Sequence, residues 1–157
     1  MLRIVQVGFL DPDAQTLVSE VQAEYVVRYG TQDETPMDHT VFDPPAGAFF
    51  VGYLGEAALA MGGWRFRPDV SRLGGRRVAE IKRMYVARAG RRTGLARAVL
   101  AHLEQTAAQA GADVLLLETG LQQPEAIALY ESAGYEAIEK FGYYAWSQHN
   151  RCYGRRL

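Results

Sequence analysis

The chain has 157 residues, enough for one ordinary domain, and its 48% hydrophobic and 22% charged residues exclude a disordered or fibrous polymer. With Lys+Arg 17 against Asp+Glu 18, the formal charge of -1 gives no global reason to expect nucleic acid or a membrane as partner. Cys152 stands alone, so no internal disulfide can form; the opening MLRIVQVGFL lacks a signal-peptide pattern, and no apolar run nears the roughly 20 residues that span a bilayer. A soluble, cytoplasmic, single-domain protein over residues 1–157 is expected.

Leu2 to Val7 alternates as a first strand, and Asp11-Pro12-Asp13 supplies a capping acid and a proline suited to a helix start. Leu17, Val18, Val21 and Tyr25 recur at helical spacing until Gly30, which predicts a helix over about 13–29 with one buried face. From Thr31 to Gly47 periodicity is absent. Pro36, Pro44 and Pro45, with the acids Asp33, Glu34, Asp38 and Asp43, read as a long loop that contributes to a substrate site and suits a cationic acceptor. Ala48–Leu54 and Ala57–Phe66, separated by Gly55-Glu56, predict an antiparallel hairpin.

After a polar connection over 67–77, Val78 to Val86 reads as a strand on which alternation puts Val78, Glu80, Lys82, Met84 and Val86 on one face. Leu95, Val99, Leu103 and Ala107 mark a helix over about 93–110, closed by Gly111 and followed by a strand at 114–119, so strand, helix and strand predict a parallel crossover. Pro124 opens a short helix and Gly134 lies beyond its end. Tyr135 to Ile138 and an apolar C-terminal segment complete the pattern.

Between the strand ending at Val86 and its helix, the turn carries Gly94 and Ala96 where backbone must come close to a ligand, and the free amides of a first helical turn follow. Arg88, Arg91 and Arg92 add mobile positive charge. A basic helix start is the plain reading. A diphosphate site is the other, favoured because arginine near a helix N-terminus opposes the dipole unless an anion binds there.

Four segments together resemble the GNAT superfamily of acyl-CoA-dependent N-acyltransferases: EIKRMYV at 80–86, the Arg91-x-x-Gly94-x-Ala96 turn, LETG at 117–120 and PEAIALYESAGY at 124–135. The resemblance covers about 78–135. It implies a mixed α/β fold in which a bent, mostly antiparallel sheet, flanked by helices, carries a central parallel strand pair splayed to admit coenzyme A. The backbone of Met84, Tyr85 and Val86 would then pair with the pantetheine arm, as in strand addition. Arg91, Arg92, Thr93, Gly94, Leu95 and Ala96 would hold the diphosphate. Gln123 stands where relatives often have asparagine, which marks it as a further cofactor contact.

The implied reaction is transfer of an acetyl group from acetyl-CoA to the amine of a small molecule. Relatives carry a general base at the offset of Glu80, six residues before Val86; a structural carboxylate paired with Lys82 or an arginine is the alternative. Tyr130 matches the superfamily's general acid for the departing thiolate, with a core tyrosine as the alternative, and the Val86 amide would stabilise the oxyanion. Cys152 is expected to be buried rather than nucleophilic, and His39, His102 and His149 lack metal-ligand spacing, so no metal is assigned. Trp64, Phe66, Tyr143, Tyr144 and Trp146 suit sheet packing, an aromatic substrate pocket or a homodimer interface. An acyl-CoA-sensing module without turnover, or an acyltransferase acting on a protein N-terminus or lysine, are the rival functions.

Overall fold

The computed structural model describes residues 1–157. Strands β1 (Leu2–Val7), β2 (Gly47–Leu54), β3 (Ala57–Phe66), β4 (Val78–Val86), β5 (Val114–Gly120), β6 (Glu136–Ala137) and β7 (Asn150–Arg156) form one seven-stranded sheet in the order β1-β2-β3-β4-β5-β7-β6. Helices α1 (Pro12–Tyr29), α2 (Leu95–Gln109) and α3 (Pro124–Ser132) flank it. All strand pairs are antiparallel except β4 and β5, the parallel pair expected from the crossover through α2.

Local chemistry accounts for these boundaries. The Asp11 carboxylate accepts from the amides of Asp13 and Ala14 to cap α1, and Gly30 closes that helix at φ 80, a left-handed conformation that glycine adopts without a Cβ penalty. The β2–β3 hairpin turns at Gly55-Glu56, with Leu54 opposite Ala57. Gly63 lies at a close approach in the sheet: a Cβ there would meet the backbone oxygen of Ala48 at 2.8 Å and the Phe42 ring at 2.9 Å. The loop after α1 contains a short 3-10 turn at His39–Phe42, which is capped by Asp38 and buries Phe42.

The two faces of the sheet have separate cores. One packs Phe50, Trp64, Ala79, Ile81, Leu115 and Leu117 against α2 and the Tyr130 side of α3; the other packs Phe49, Val51 and Met61 against Leu17 and Val21 of α1. Cys152 is buried in β7.

β4 departs from the expected alternation. Met61 faces Tyr85 but Gly63 faces Lys82, so Gly62 alone opposes both Arg83 and Met84: a β-bulge, with Arg83 left-handed at φ 58. The extra residue reverses the strand's faces. Glu80 and Lys82 share the face of Val78, toward α1 and its following loop, whereas Met84 and Val86 turn to the α2 side and Tyr85 to the α1 side. The single face drawn from the sequence for Val78, Glu80, Lys82, Met84 and Val86 is therefore corrected to two.

β4 and β5 pair only from Val78↔Val114 to Glu80↔Leu116, and beyond that point they part. Glu80 is fully buried at this fork, its Oε1 accepting from Arg67 Nη1 at 2.7 Å, Arg65 Nη2 at 3.1 Å and Arg65 Nε at 3.2 Å. Glu80→Ala leaves Arg65 without its carboxylate while Arg67 keeps Asp69, and breaking a buried pair costs about 3–5 kcal/mol. The unfolding free energy from urea titration should therefore fall by an amount in that range, and a change below about 1 kcal/mol would show that the cluster contributes no more than a surface pair.

Candidate active site

Where β4 leaves β5, its edge is left with unpaired backbone groups. Ala87 donates its amide to Leu59 of β3 at 2.8 Å, and successive amides of an extended strand point to opposite edges, so the Val86 amide points into the gap. Arg91 Nε donates to the Val86 carbonyl at 3.0 Å. The open edge thus offers donors and acceptors at the position that the resemblance gave to the pantetheine arm.

Past Val86 the chain makes a 3-10 turn at Arg88–Gly90 and reaches α2 through Arg92 at φ 63 and Gly94 at φ 83. Alternation of left-handed and ordinary residues turns consecutive amides toward one concavity, a geometry suited to anions. Gly94 caps α2 with no side-chain cap, and the amides of Ala96 and Arg97 have no partner within the helix; the Leu95 amide has only the Thr93 hydroxyl at 3.4 Å. A Cβ at Gly94 would meet nothing within 4 Å, so the approach is open. Donor set and access fit a diphosphate. Arg91 differs from expectation: its guanidinium binds Glu24 of α1 at 2.6 Å and the Val86 carbonyl, and its amide is used by Arg88, so its charge is fixed rather than mobile. Arg88 and Arg92 remain exposed at the turn.

On the α2 side of the gap, Tyr130 is buried, and its hydroxyl contacts Met84 Sδ at 3.6 Å. Burial raises its pKa far above the usual phenol value, so the group stays protonated and can act only as a donor near neutral pH. The bulge brings this about, because without it Met84 would face α1.

On the other side lies a cavity of about 290 Å³ lined by Tyr25 and Tyr29 of α1, Asp33 of the following loop, Lys82 of β4, Glu118 and Gly120 of β5, and Tyr144 and Trp146 from the segment before β7. The sequence singles out the loop, gives Lys82 only as a possible partner of Glu80, a place that Arg65 and Arg67 take instead, and leaves Glu118 as an unremarked member of the LETG segment. Of the loop's acids, Asp33 alone lines the cavity. Asp33 pairs with Arg83 at 2.5 Å and accepts from Tyr144 at 3.1 Å; burial pushes its carboxyl up, but Lys82, Arg83 and the hydrogen bonds from Thr35 outweigh that and hold it below the ordinary value. Asp38 instead caps the 3-10 turn.

Glu118 behaves oppositely. Burial raises its carboxyl above the ordinary glutamate range despite the nearby Lys82, and its Oε2 accepts from the Tyr144 amide at 3.2 Å. Glu80 does not line the cavity. Gln123 does; its amide donates to the Tyr29 hydroxyl at 3.1 Å, which turns it to the α1 side rather than toward the turn before α2. Cys152 accepts from Asn150 at 3.5 Å, and burial raises its thiol pKa, against a nucleophilic thiolate.

A sheet forked at its parallel pair, a turn of free amides on the resulting edge and a cavity across the gap are the features of an acyltransferase fold. The profile of the acetyltransferase (GNAT) family matches residues 14–135, and the chain belongs to that family, whose members use acetyl-CoA as co-substrate. An IAA acetyltransferase of Azospirillum brasilense is 42% identical over 65 residues, a match covering 41% of this chain and only 42% of that relative's length. Among solved structures, a Klebsiella pneumoniae protein provisionally described as an acyl-CoA N-acyltransferase superposes with TM-score 0.79 at 23% identity, covering 100% of this chain and 98% of that one. The ribosomal-protein-S18-alanine N-acetyltransferase of Escherichia coli gives 0.67 at 20% identity, covering 100% and 94%. These likenesses establish the fold.

Gly94 offers a direct test of the turn. A side chain at its left-handed φ costs about 1–2 kcal/mol, and relief of that strain would rotate the amides away from the concavity. Gly94→Val should raise the calorimetric Kd for coenzyme A by about tenfold or more; an unchanged Kd would remove this turn from the binding surface.

Proposed function

We propose that the protein transfers an acetyl group from acetyl-CoA directly to the primary amine of a small molecule, within a ternary complex. The observation that carries this reading is the placement of a protonated phenol, Tyr130, on one side of the β4–β5 gap and a carboxylate with a raised pKa, Glu118, in the cavity on the other. The co-substrate supplies the activated carbonyl carbon. The residues of the chain supply the proton transfers.

An amine arrives largely as its ammonium form, since an unperturbed alkyl amine has a pKa near about 10.4, and only the free lone pair can form the new N–C bond. Glu118 accepts the proton whose loss frees the lone pair and passes it to solvent; once the N–C bond has formed, it takes the second proton from the nitrogen. Its raised pKa suits a base working near neutral pH better than an ordinary carboxylate would. As the C–S bond breaks, the sulfur takes the bonding pair and the Tyr130 hydroxyl donates its proton there, to be restored from solvent. The Val86 amide, pointing into the gap, is the donor for the carbonyl oxygen. Met84, Tyr85 and Val86 present the strand edge, while Arg92, Thr93, Gly94, Leu95 and Ala96 form the turn for the diphosphate.

The base role moves from Glu80 to Glu118 in this proposal. Glu80 Oε1 is taken by Arg65 and Arg67, Oε2 is buried without a partner, and the residue lies outside the cavity lining, so its proposed part is to hold β3 and β4 together at the fork. The presence of an acid and a base on opposite sides of the gap supports turnover over a sensing module that only binds.

Because Glu118 must be ionised to accept a proton and its carboxyl is held above the ordinary range, kcat should fall on the acid side starting at a higher pH than a normal glutamate would give. Glu118→Gln should abolish that limb and reduce kcat by about 10²–10⁴-fold. A pH–rate profile in which the limb survives the substitution would return the base role to another group. Tyr130→Phe should lower kcat with the calorimetric Kd for coenzyme A unchanged; full turnover in that variant would show that the phenol only packs.

A further inference from the structure

Lys82 is the one feature of the cavity that acyl transfer to a simple amine leaves unexplained. Its side chain lines the cavity, the residue is only 8% exposed, and its ammonium has neither a carboxylate within 4.0 Å nor a hydrogen-bond acceptor. The Lys82 ammonium opens onto the cavity, where an anionic group of a ligand can reach it. The neighbouring carboxylates do not meet the need. Asp33 is taken by Arg83, Thr35 and Tyr144, and Glu118 is held by the Tyr144 amide with the backbone of Gly142 packed against its oxygens. On the adjacent residue, Arg83 Nε is buried with no acceptor, as Glu80 Oε2 is with no donor, but neither residue lines the cavity. Lys82 is therefore the free cation that faces a site which also holds a base.

Charge balance points the same way. Lys82 and Arg83 oppose Asp33 and Glu118, so the site is close to neutral as it stands. A simple ammonium ligand would add an uncompensated positive charge, and a simple anion a negative one. A zwitterion adds neither. Its ammonium can face Glu118, which takes the proton, while its carboxylate faces Lys82.

We infer that the acceptor is a free amino acid or a close analogue, a small amine that also carries a carboxylate, and that Lys82 binds the carboxylate. The aromatic wall of Tyr25, Tyr29, Tyr144 and Trp146 accommodates an apolar or aromatic side chain, and a cavity of about 290 Å³ lies at the small end of ligand sites. This inference rests on the acyl-transfer reading of the same cavity, but its binding component can be measured apart from turnover.

The experiment compares matched pairs that differ only in the carboxylate: phenylalanine with phenethylamine, and leucine with isopentylamine. Thiol release from acetyl-CoA gives kcat/KM for each, and calorimetric titration into the protein–coenzyme A complex gives Kd. The amino acid of at least one pair should be favoured by roughly 10- to 100-fold, the span of one charge-assisted hydrogen bond, and Lys82→Met should collapse that ratio toward one. Thermal melting of Lys82→Met confirms that it is folded, and the wild-type ratio stands without the variant. Carboxylate-dependent binding without thiol release would uphold the zwitterion site and overturn acyl transfer. Thiol release with equal or better use of the decarboxylated amines would uphold acyl transfer and overturn the zwitterion site, as would a preference that survives Lys82→Met or the absence of binding by every amino acid tested.

Discussion

The structure depends on a sheet that pairs its two parallel strands for three residues and then stops. Val78 to Glu80 of β4 engage Val114 to Leu116 of β5, and from Ile81 onward β4 is held only by β3. In an ordinary buried sheet, unpaired backbone groups in mid-sheet would be a fault, because each orphaned amide or carbonyl costs free energy. On the proposed function, this open edge is where the cofactor pairs. The Arg65–Glu80–Arg67 cluster lies at the point of parting, so the strands are held to β3 most firmly where they begin to separate.

The bulge at Arg83 divides the labour across that gap. With unbroken alternation, Lys82 and Met84 would face the same way, and the strand could not present a cation to the α1 side while bringing a side chain to Tyr130 on the α2 side. One extra residue achieves both. It also fixes the loop after α1, because Arg83 reaches Asp33, and Asp33 in turn holds the Tyr144 hydroxyl from the segment before β7. The acceptor cavity is thereby closed by segments far apart in sequence through contacts that originate at a single backbone irregularity.

Much of the fold could be read from residue order. The β2–β3 hairpin, α1 with its Asp11 cap and Gly30 stop, the strand Val78–Val86 and the turn before α2 all rest on local signals of period, capping and glycine placement, and they lie where those signals put them. The bulge does not announce itself in the same way. A left-handed residue is usually sought at glycine or asparagine, and here it is an arginine, with the accommodating glycines Gly62 and Gly63 on the opposite strand. That opposed glycine pair is the signal that was available. Missing it put Glu80 on the same face as Met84 and Val86, whereas the strand turns those two to the other side.

Glu118 and Lys82 were hidden for a related reason. Each sits inside a short motif whose neighbours attract attention for other purposes, and neither acquires its character from sequence neighbours. The raised carboxyl of Glu118 comes from burial among Tyr144, Gly142 and the β7 edge, and the isolation of Lys82 comes from Arg83 and Thr35 having claimed Asp33. On the proposed function, cofactor recognition uses backbone amides in a contiguous turn, which a linear pattern can encode, and acceptor recognition uses side chains gathered from α1, the loop after it, β4, β5 and the approach to β7, whose charges take on meaning only when counted together. On the inference drawn from Lys82, a site that balances Lys82 and Arg83 against Asp33 and Glu118 discriminates by the net charge of what enters, so its specificity is a property of the assembled cavity rather than of any one residue.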